Sequence, residues 1–224
     1  MAVKNHAHSV HNPYAQYQKP VSLEQVLGAR PIAEPLGLLD CSPISDGAAA
    51  VLLASPAGLR RRGITGPTPR MLGVGLVSGG VLTGTGHLNA EHVSRRAGEE
   101  AWKLTGVGPD EIDLVEMHDC FTIAEIVRME GLGLIPHGQG AAWTADGHTS
   151  VGGRLPVNPS GGLLSRGHPV GATGAAQVCE LTWQLRGTAG GRQVEGVRAG
   201  LAYCDGGTVN GTDGGSVTTV VMAR

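Results

Sequence analysis

Aromatic side chains are nearly absent: one Phe, three Tyr and three Trp make up 3% of the chain. That scarcity excludes aromatic cages and base-stacking platforms. Neither sign of charge dominates, with 17 Lys and Arg against 19 Asp and Glu and a net charge of -2. The basic footprint of a nucleic-acid partner is therefore missing. No apolar run approaches the roughly 20 residues of a membrane span. Met1–Pro13 is polar and His-rich, unlike a signal peptide. Cysteines at 41, 120, 179 and 204 follow neither zinc-knuckle nor redox-pair spacing. His6, His8 and His11 match no standard metal-ligand spacing, so no metal site is expected. These absences point to a reduced, cytoplasmic protein with no nucleic-acid partner and no membrane span.

Glycine is in excess, at 37 of 224 residues, against a usual share of about 7%. No collagen-type period accompanies it, so the glycines serve turns and close backbone approaches. The length is ample for a hydrophobic core without a disulfide or metal staple. Apolar residues make up 41% of the chain and charged residues 16%, with mean hydropathy near zero.

Residues 1–35 read as polar segments with short turns. Within them Ser22-Leu-Glu-Gln25 forms a capping box that opens a short helix through Ala29. The apolar run at 47–54 suits a strand buried on both faces, with a helix as the alternative. A connector from Pro56 to Pro69 carries Arg60, Arg61 and Arg62, best read as a solvated cluster. A strand at 70–77, a Gly/Thr-rich loop at 78–90 and a helix from Ala90 to Leu104 follow. Ile112–Met117 reads as a short strand, Asp119–Glu130 as a helix and 136–157 as irregular. Residues 169–186 read as a helix with Pro169 in its first turn, and strands fall at 197–204 and 216–222. Helices alternating with short buried strands define an α/β layered fold. The chain shows no internal repeat.

Three segments carry chemistry. Glu116-Met-His118-Asp-Cys120-Phe lies where a buried strand ends, the edge at which open α/β sheets bind ligands. Asn158–Gly174 places His168 between Gly167 and Gly171 and ahead of a helix start. There the backbone can approach a ligand, and free N–H groups face it. Tyr203-Cys204-Asp-Gly206-Gly207 sets a thiol at a strand end before flexible N–H donors. Two imidazoles, a thiol and an N–H nest suit acyl chemistry. The imidazoles shuttle protons or donate to an oxyanion, and a thiol beside them moves a proton.

Over its whole length the chain resembles the C-terminal part of a thiolase of the sterol-carrier-protein type. The carrying motifs are His118-Asp-Cys-Phe121, Asn158–Gly174 with Gly167-His168-Pro169, and Cys204-Asp-Gly206-Gly207. Val3–His6, Asn12–Ala15 and Leu39–Gly47 support them. The resemblance implies a layered α/β/α thiolase fold. Residues 1–69 would be the tail of the N-terminal domain and 70–224 the complete C-terminal domain. It also implies thiolysis or Claisen condensation of acyl-CoA thioesters through an acyl-cysteine, with coenzyme A as substrate and no covalently bound cofactor.

By the same resemblance, His168 activates the nucleophilic cysteine and lends an N–H to the thioester oxygen. His118 replaces the asparagine of other thiolases and polarises the same carbonyl. Cys204 is the acid/base for the substrate α-proton, and the Gly206 N–H serves a second oxyanion hole. Ser42 contacts the pantetheine arm of CoA. Cys41 and Cys120 do not match the nucleophile, which the family carries in its N-terminal half. Cys41, Cys120 and Cys179 are expected to be packing residues. Residues 208–213 lengthen the turn after Cys204.

The chain is therefore expected to work with an N-terminal half bearing the nucleophile, and to be aggregation-prone, homo-oligomeric or obligately paired. Some relatives dock a small zinc-containing partner of the OB type. Two other functions stay open: a nucleophile-less protein that binds CoA esters, lipid or a partner, and an aldolase acting on a steroid side-chain CoA ester. Retention of His168 and Cys204 favours acyl transfer over the aldolase.

Overall fold

The computed structural model describes residues 1–66, 68–79, 91–209 and 213–224. Helices α1 (Ala2–Ser9) and α2 (Leu23–Leu27) precede a two-stranded hairpin, β1 (Pro31–Ala33) with β2 (Leu36–Gly37). Helix α3 spans Pro56–Arg61, β3 spans Arg70–Val77 and α4 spans Glu91–Thr105. Strand β4 (Leu114–Met117) leads to α5 (Thr122–Gly131), α6 (Gly140–Ala145), α7 (Gly162–Arg166) and α8 (Thr173–Arg186). The long strands β5 (Ala199–Val209) and β6 (Asp213–Ala223) follow.

The main sheet has four strands in the order β3-β6-β5-β4. β6 runs antiparallel to both its neighbours, and β4 runs parallel to β5. Side chains alternate across a strand, and the apolar residues divide accordingly. Val115, Met117, Leu201, Tyr203, Val217 and Val221 pack with Val93, Ala97 and Ala101 of α4 and Met129 of α5. Leu114, Ala202, Val220 and Met222 pack with Val178, Leu181 and Leu185 of α8 on the other face. Both faces of the sheet are thus covered by helices, giving an α/β/α layering with β6 and β5 at its centre and β4 at one edge.

The capping box at Ser22 forms as expected, with Ser22 and Gln25 exchanging backbone and side-chain bonds. Five expectations are corrected. The run at 47–54 is neither strand nor helix but largely exposed extended chain. Among the described residues no strand lies beside it, and a strand needs ladder partners for its N–H and C=O groups. The helix expected from Asp119 starts at Thr122, because the Asp119 carboxylate is taken by the Leu163 and Leu164 N–H groups instead. The helix expected from Pro169 starts at Thr173, since a turn spends the Pro169 carbonyl on the N–H groups of Ala172 and Thr173. The segment read as polar turns opens with α1, and α6 lies inside the stretch read as irregular. Most of the Gly/Thr-rich loop at 78–90 lies outside the described residues.

Candidate active site

The parallel register pairs Met117 with Tyr203. The residues that follow, His118 and Cys204, therefore emerge side by side where β4 stops, at the ligand edge of such sheets. Cys204, expected at a strand end, lies midway along β5, which runs on to Val209. Cys204 Sγ lies 3.6 Å from His118 Nδ1, and the Asp205 N–H donates to the same nitrogen at 3.3 Å.

His168 arrives from a separate segment. Its N–H donates to Ser45 Oγ at 3.0 Å, and its strand-like backbone bridges to Ile44. Gly167 before it has φ +113°, and a Cβ there would stand 2.7 Å from Ser45 Oγ, so only glycine fits. The two imidazoles meet edge to face, with ring centroids 4.9 Å apart and planes at 84°. Together with Cys120, Cys204, Asp205, Gly206, Gly207 and Thr218 they line one cavity of about 310 Å³.

Hydrogen bonding sets the tautomers. An N–H donor at His118 Nδ1 requires a lone pair there, which puts the ring proton on Nε2. At His168, Nδ1 lies 2.8 Å from Thr173 Oγ1, whose own proton goes to the Pro169 carbonyl. His168 therefore donates from Nδ1 and keeps a lone pair on Nε2. One ring is arranged as a donor and the other as a base. Both are neutral. Burial, with Arg128 and His168 nearby, lowers His118 to about 3, and burial with Arg166 lowers His168. Burial, then Asp205, pushes the Cys204 thiol up, so it holds its proton at neutral pH. The set can accept a proton, donate to a developing oxyanion and return a proton from sulfur.

Buried carboxylates fasten the His168 segment to β4. Glu116 accepts from the Ser160 N–H at 3.1 Å and Ser160 Oγ at 2.7 Å, and pairs with Arg166 at 3.3 Å. Asp119 accepts from the Leu163 N–H at 2.6 Å and from Asn5 Nδ2 at 2.7 Å. Gly162 packs so closely on this carboxylate that a Cβ would stand 2.3 Å from Oδ2. Asn158, at φ +55°, receives the Met117 N–H on its Oδ1 at 2.7 Å.

The structure thus brings His118, His168, Cys204 and Gly206 around one cavity. Ser42 is not among the residues lining it; its N–H donates to the Cys120 carbonyl at 2.9 Å. Cys120, read from sequence as a packing residue, also lines the cavity. Thr173 and Arg128 are site residues that sequence reading does not single out. The available signals were Thr173 five residues after His168, and a lone Arg inside the apolar stretch Ile126–Met129.

This layered fold, with two histidines and a thiol meeting beside the end of β4, is that of a thiolase-type domain. The chain belongs to the family described as thiolase C-terminal domain-like, whose model matches residues 83–221. It is 42% identical over 208 residues to sterol carrier protein 2 of Oryctolagus cuniculus, covering 89% of this chain and 37% of that protein. It is 43% identical over 226 residues to an acetyl-CoA acetyltransferase of Methanothermobacter thermautotrophicus, covering 100% of this chain and 57% of the relative. Identity to the benzoylsuccinyl-CoA thiolase subunit BbsB of Thauera aromatica is 38% over 208 residues, covering 92% and 54%. Among solved structures, the Ltp2-ChsH2(DUF35) aldolase matches with a TM-score of 0.82 at 25% identity, covering 100% of this chain and 56% of that one. The chain spans 37% to 57% of the length of these curated relatives. Among the described residues no helix is long and apolar enough to cross a membrane.

Proposed function

We propose that this chain is the acid/base component of a thiolase-type acyltransferase acting on acyl-CoA thioesters. The observation that carries the reading is the edge-to-face pair of neutral imidazoles beside the Cys204 thiol around one cavity. In this reading His168 Nε2 takes the proton of a nucleophilic thiol supplied by an N-terminal half. His118 Nε2–H polarises the thioester carbonyl. Cys204 exchanges the α-proton of the second substrate, and the Gly206 N–H steadies the enolate oxygen. Coenzyme A enters as substrate, with Ser42 on its pantetheine arm. Residues 1–69 belong to the first thiolase domain and 70–224 to the second. Four free thiols suit a reducing, cytoplasmic setting.

Two features support pairing with further protein. Val51, Leu52, Leu53 and Met71 line a groove with Val178 and Met222, together with Arg61, Arg62 and Arg186. Leu52 is 94% exposed and Leu53 69% exposed. A thiolase N-terminal half or a second copy would cover such a face, and a small zinc-containing OB-type partner is a further candidate.

The test is co-expression with a polypeptide carrying a thiolase N-terminal half encoded beside this chain, followed by CoA-dependent cleavage of acetoacetyl-CoA. Cleavage by the pair, and by neither part alone, is the expected result. Acyl-CoA binding with no cleavage would instead mark a binding protein. A carbon–carbon lyase is the second reading, favoured by the fold likeness to the aldolase. Retro-aldol cleavage of a steroid side-chain CoA ester without CoA consumption would establish it.

A further inference from the structure

A single buried guanidinium joins the end of β4 to the middle of β5, the two places that carry the site. Arg128 projects from α5, is 7% exposed, and donates from one nitrogen to the His118 carbonyl. Another of its nitrogens lies 2.6 Å from Asp205 Oδ2. Its carbon sits 5.6 Å from the centre of the Tyr203 ring, whose hydroxyl meets Ser94 Oγ at 2.9 Å. The residues bound are the reactive groups or their neighbours: His118 itself, just after β4, and the residues on either side of Cys204 in β5. Asp205 in turn supplies the N–H that occupies His118 Nδ1.

We propose that Arg128 and Asp205 form a positioning pair that aims the His118 ring, holding the Asp205 N–H on Nδ1 so that Nε2–H faces the thioester oxygen. Without the pair, Asp205 lies at the start of a hairpin end that only strand pairing restrains, beginning at Asp205 with Val217 and Gly206 with Ser216. With it, the Asp205 side chain and backbone are tied to the β4 end at two points. A planar fork is required, because one group must reach a carbonyl, a carboxylate and a ring face together. A lysine ammonium of equal charge does not replace it.

The inference rests on the acyl-transfer reading only for the duty of Nε2–H. The test is therefore spectroscopic first. The 224-residue chain is labelled with nitrogen-15, and the His118 Nδ1 resonance and the His118–His168 ring-to-ring Overhauser contacts are followed. Expected in Asp205→Asn, Arg128→Met and Arg128→Lys alike is a downfield shift of Nδ1, as it loses its N–H donor, with loss of the ring contacts. Asp205→Asn keeps the backbone N–H and the size of the side chain, so it decides the matter if Arg128→Met does not fold. Unchanged His118 signals in a folded Asp205→Asn chain overturn the proposal, as does full restoration of the signals in Arg128→Lys. In an assembled active enzyme, kcat should fall by about 10²-fold with KM retained, the cost of a ~1 Å misplacement. If no enzyme can be assembled, the acyl-transfer reading fails and the nitrogen spectra still decide the positioning role.

Discussion

The Thr173 hydroxyl lies 2.8 Å from His168 Nδ1 and gives its own proton to the Pro169 carbonyl 3.0 Å away. The turn that displaces the helix start from Pro169 to Thr173 thereby creates the acceptor that selects the tautomer of the base. Thr173→Val keeps the shape and removes that acceptor. In an assembled enzyme it should lower kcat by up to about 10²-fold, the lower end of general acid–base contributions. Thr173→Ser should restore most of the rate. Equal loss in both variants would show that the methyl packing, not the hydroxyl, matters.

His118 gives a pH dependence of defined sign. Its folded value of about 3, set by burial and then Arg128 and His168, lies below the unfolded value of about 6.5. Between these values the unfolded chain binds a proton that the folded chain refuses. The stability that this residue contributes at neutral pH is therefore lost as pH falls from 6.5 toward 3. Buried carboxylates also titrate, so the comparison must be with a variant. At about 1.4 kcal/mol per unit, His118→Asn should lose about 2 kcal/mol less than the wild type between pH 6.5 and 4.5. Urea denaturation at the two pH values measures it, and identical losses would show that His118 is protonated in the folded chain.

The strands β3 and β4 are legible because each is a short apolar run bounded by turn residues, and α4 because its apolar positions repeat at helical spacing. β5 and β6 are legible only in their apolar parts, since both continue through the Gly-rich residues around 205–209 and 213–215. Helix α1 is invisible to that signal, since the residues it buries are Lys4, Asn5, His6, His8 and Ser9. Their burial is satisfied by partners 100 or more residues away, such as Asp119 and Asn158, which no local pattern encodes. The run at 47–54 misleads for the opposite reason: it has strand composition without a strand partner among the described residues. In the site, His118, His168 and Cys204 stand out through their glycine and strand-end settings. Arg128 and Thr173 act through a bond to a distant strand and a turn geometry, neither of which leaves a spacing to read.

The buried pair of Lys4 and Glu125 locks α1 to α5. Lys4 Nζ stands 2.9 Å from Glu125 Oε1 and donates to the Val157 carbonyl at 2.8 Å. Glu125 Oε2 accepts from Asn5 and Asn158, each at 3.0 Å. Burial pushes the Glu125 carboxyl up, and Lys4 and Asn5 more than offset it, holding it below its usual range. Lys4→Met leaves that carboxylate without its cation, at a cost of about 3–5 kcal/mol. Lys4→Met combined with Glu125→Gln should recover part of the loss. Chemical denaturation of the single and double variants checks this, and additive losses would deny the coupling.

The apolar surface around 44–53 should drive association of the chain on its own. Ile44 is fully exposed at 100%, and so, for the most part, are Leu52 at 94% and Leu53 at 69%. Exposed apolar side chains grouped in this way mark an interaction face. Equilibrium sedimentation should show dimers or larger species. Leu52→Glu combined with Leu53→Lys should shift the population toward monomer, whereas a wild-type chain that stays monomeric at tens of micromolar would contradict the expectation.

The Cys204 thiol must hold its proton at neutral pH to deliver it to a substrate carbanion. Burial opposes the thiolate first and the Asp205 carboxylate second, while Arg128 and Arg166 pull the other way without prevailing. Alkylation of Cys204 by iodoacetamide, resolved from Cys41, Cys120 and Cys179 by peptide mass mapping, should therefore be slow at pH 7. It should still be rising above pH 9, beyond the ordinary thiol value of about 8.5. Glycine at 174 leaves α8 close enough that a Cβ there would stand 3.4 Å from the sulfur. Gly174→Ala should slow the reaction further without moving its pH profile. A rate that levels off below pH 8 would mean that His118 Nδ1, 3.6 Å away, takes the proton and stabilises a thiolate. Cys204 would then be arranged as a nucleophile rather than an acid.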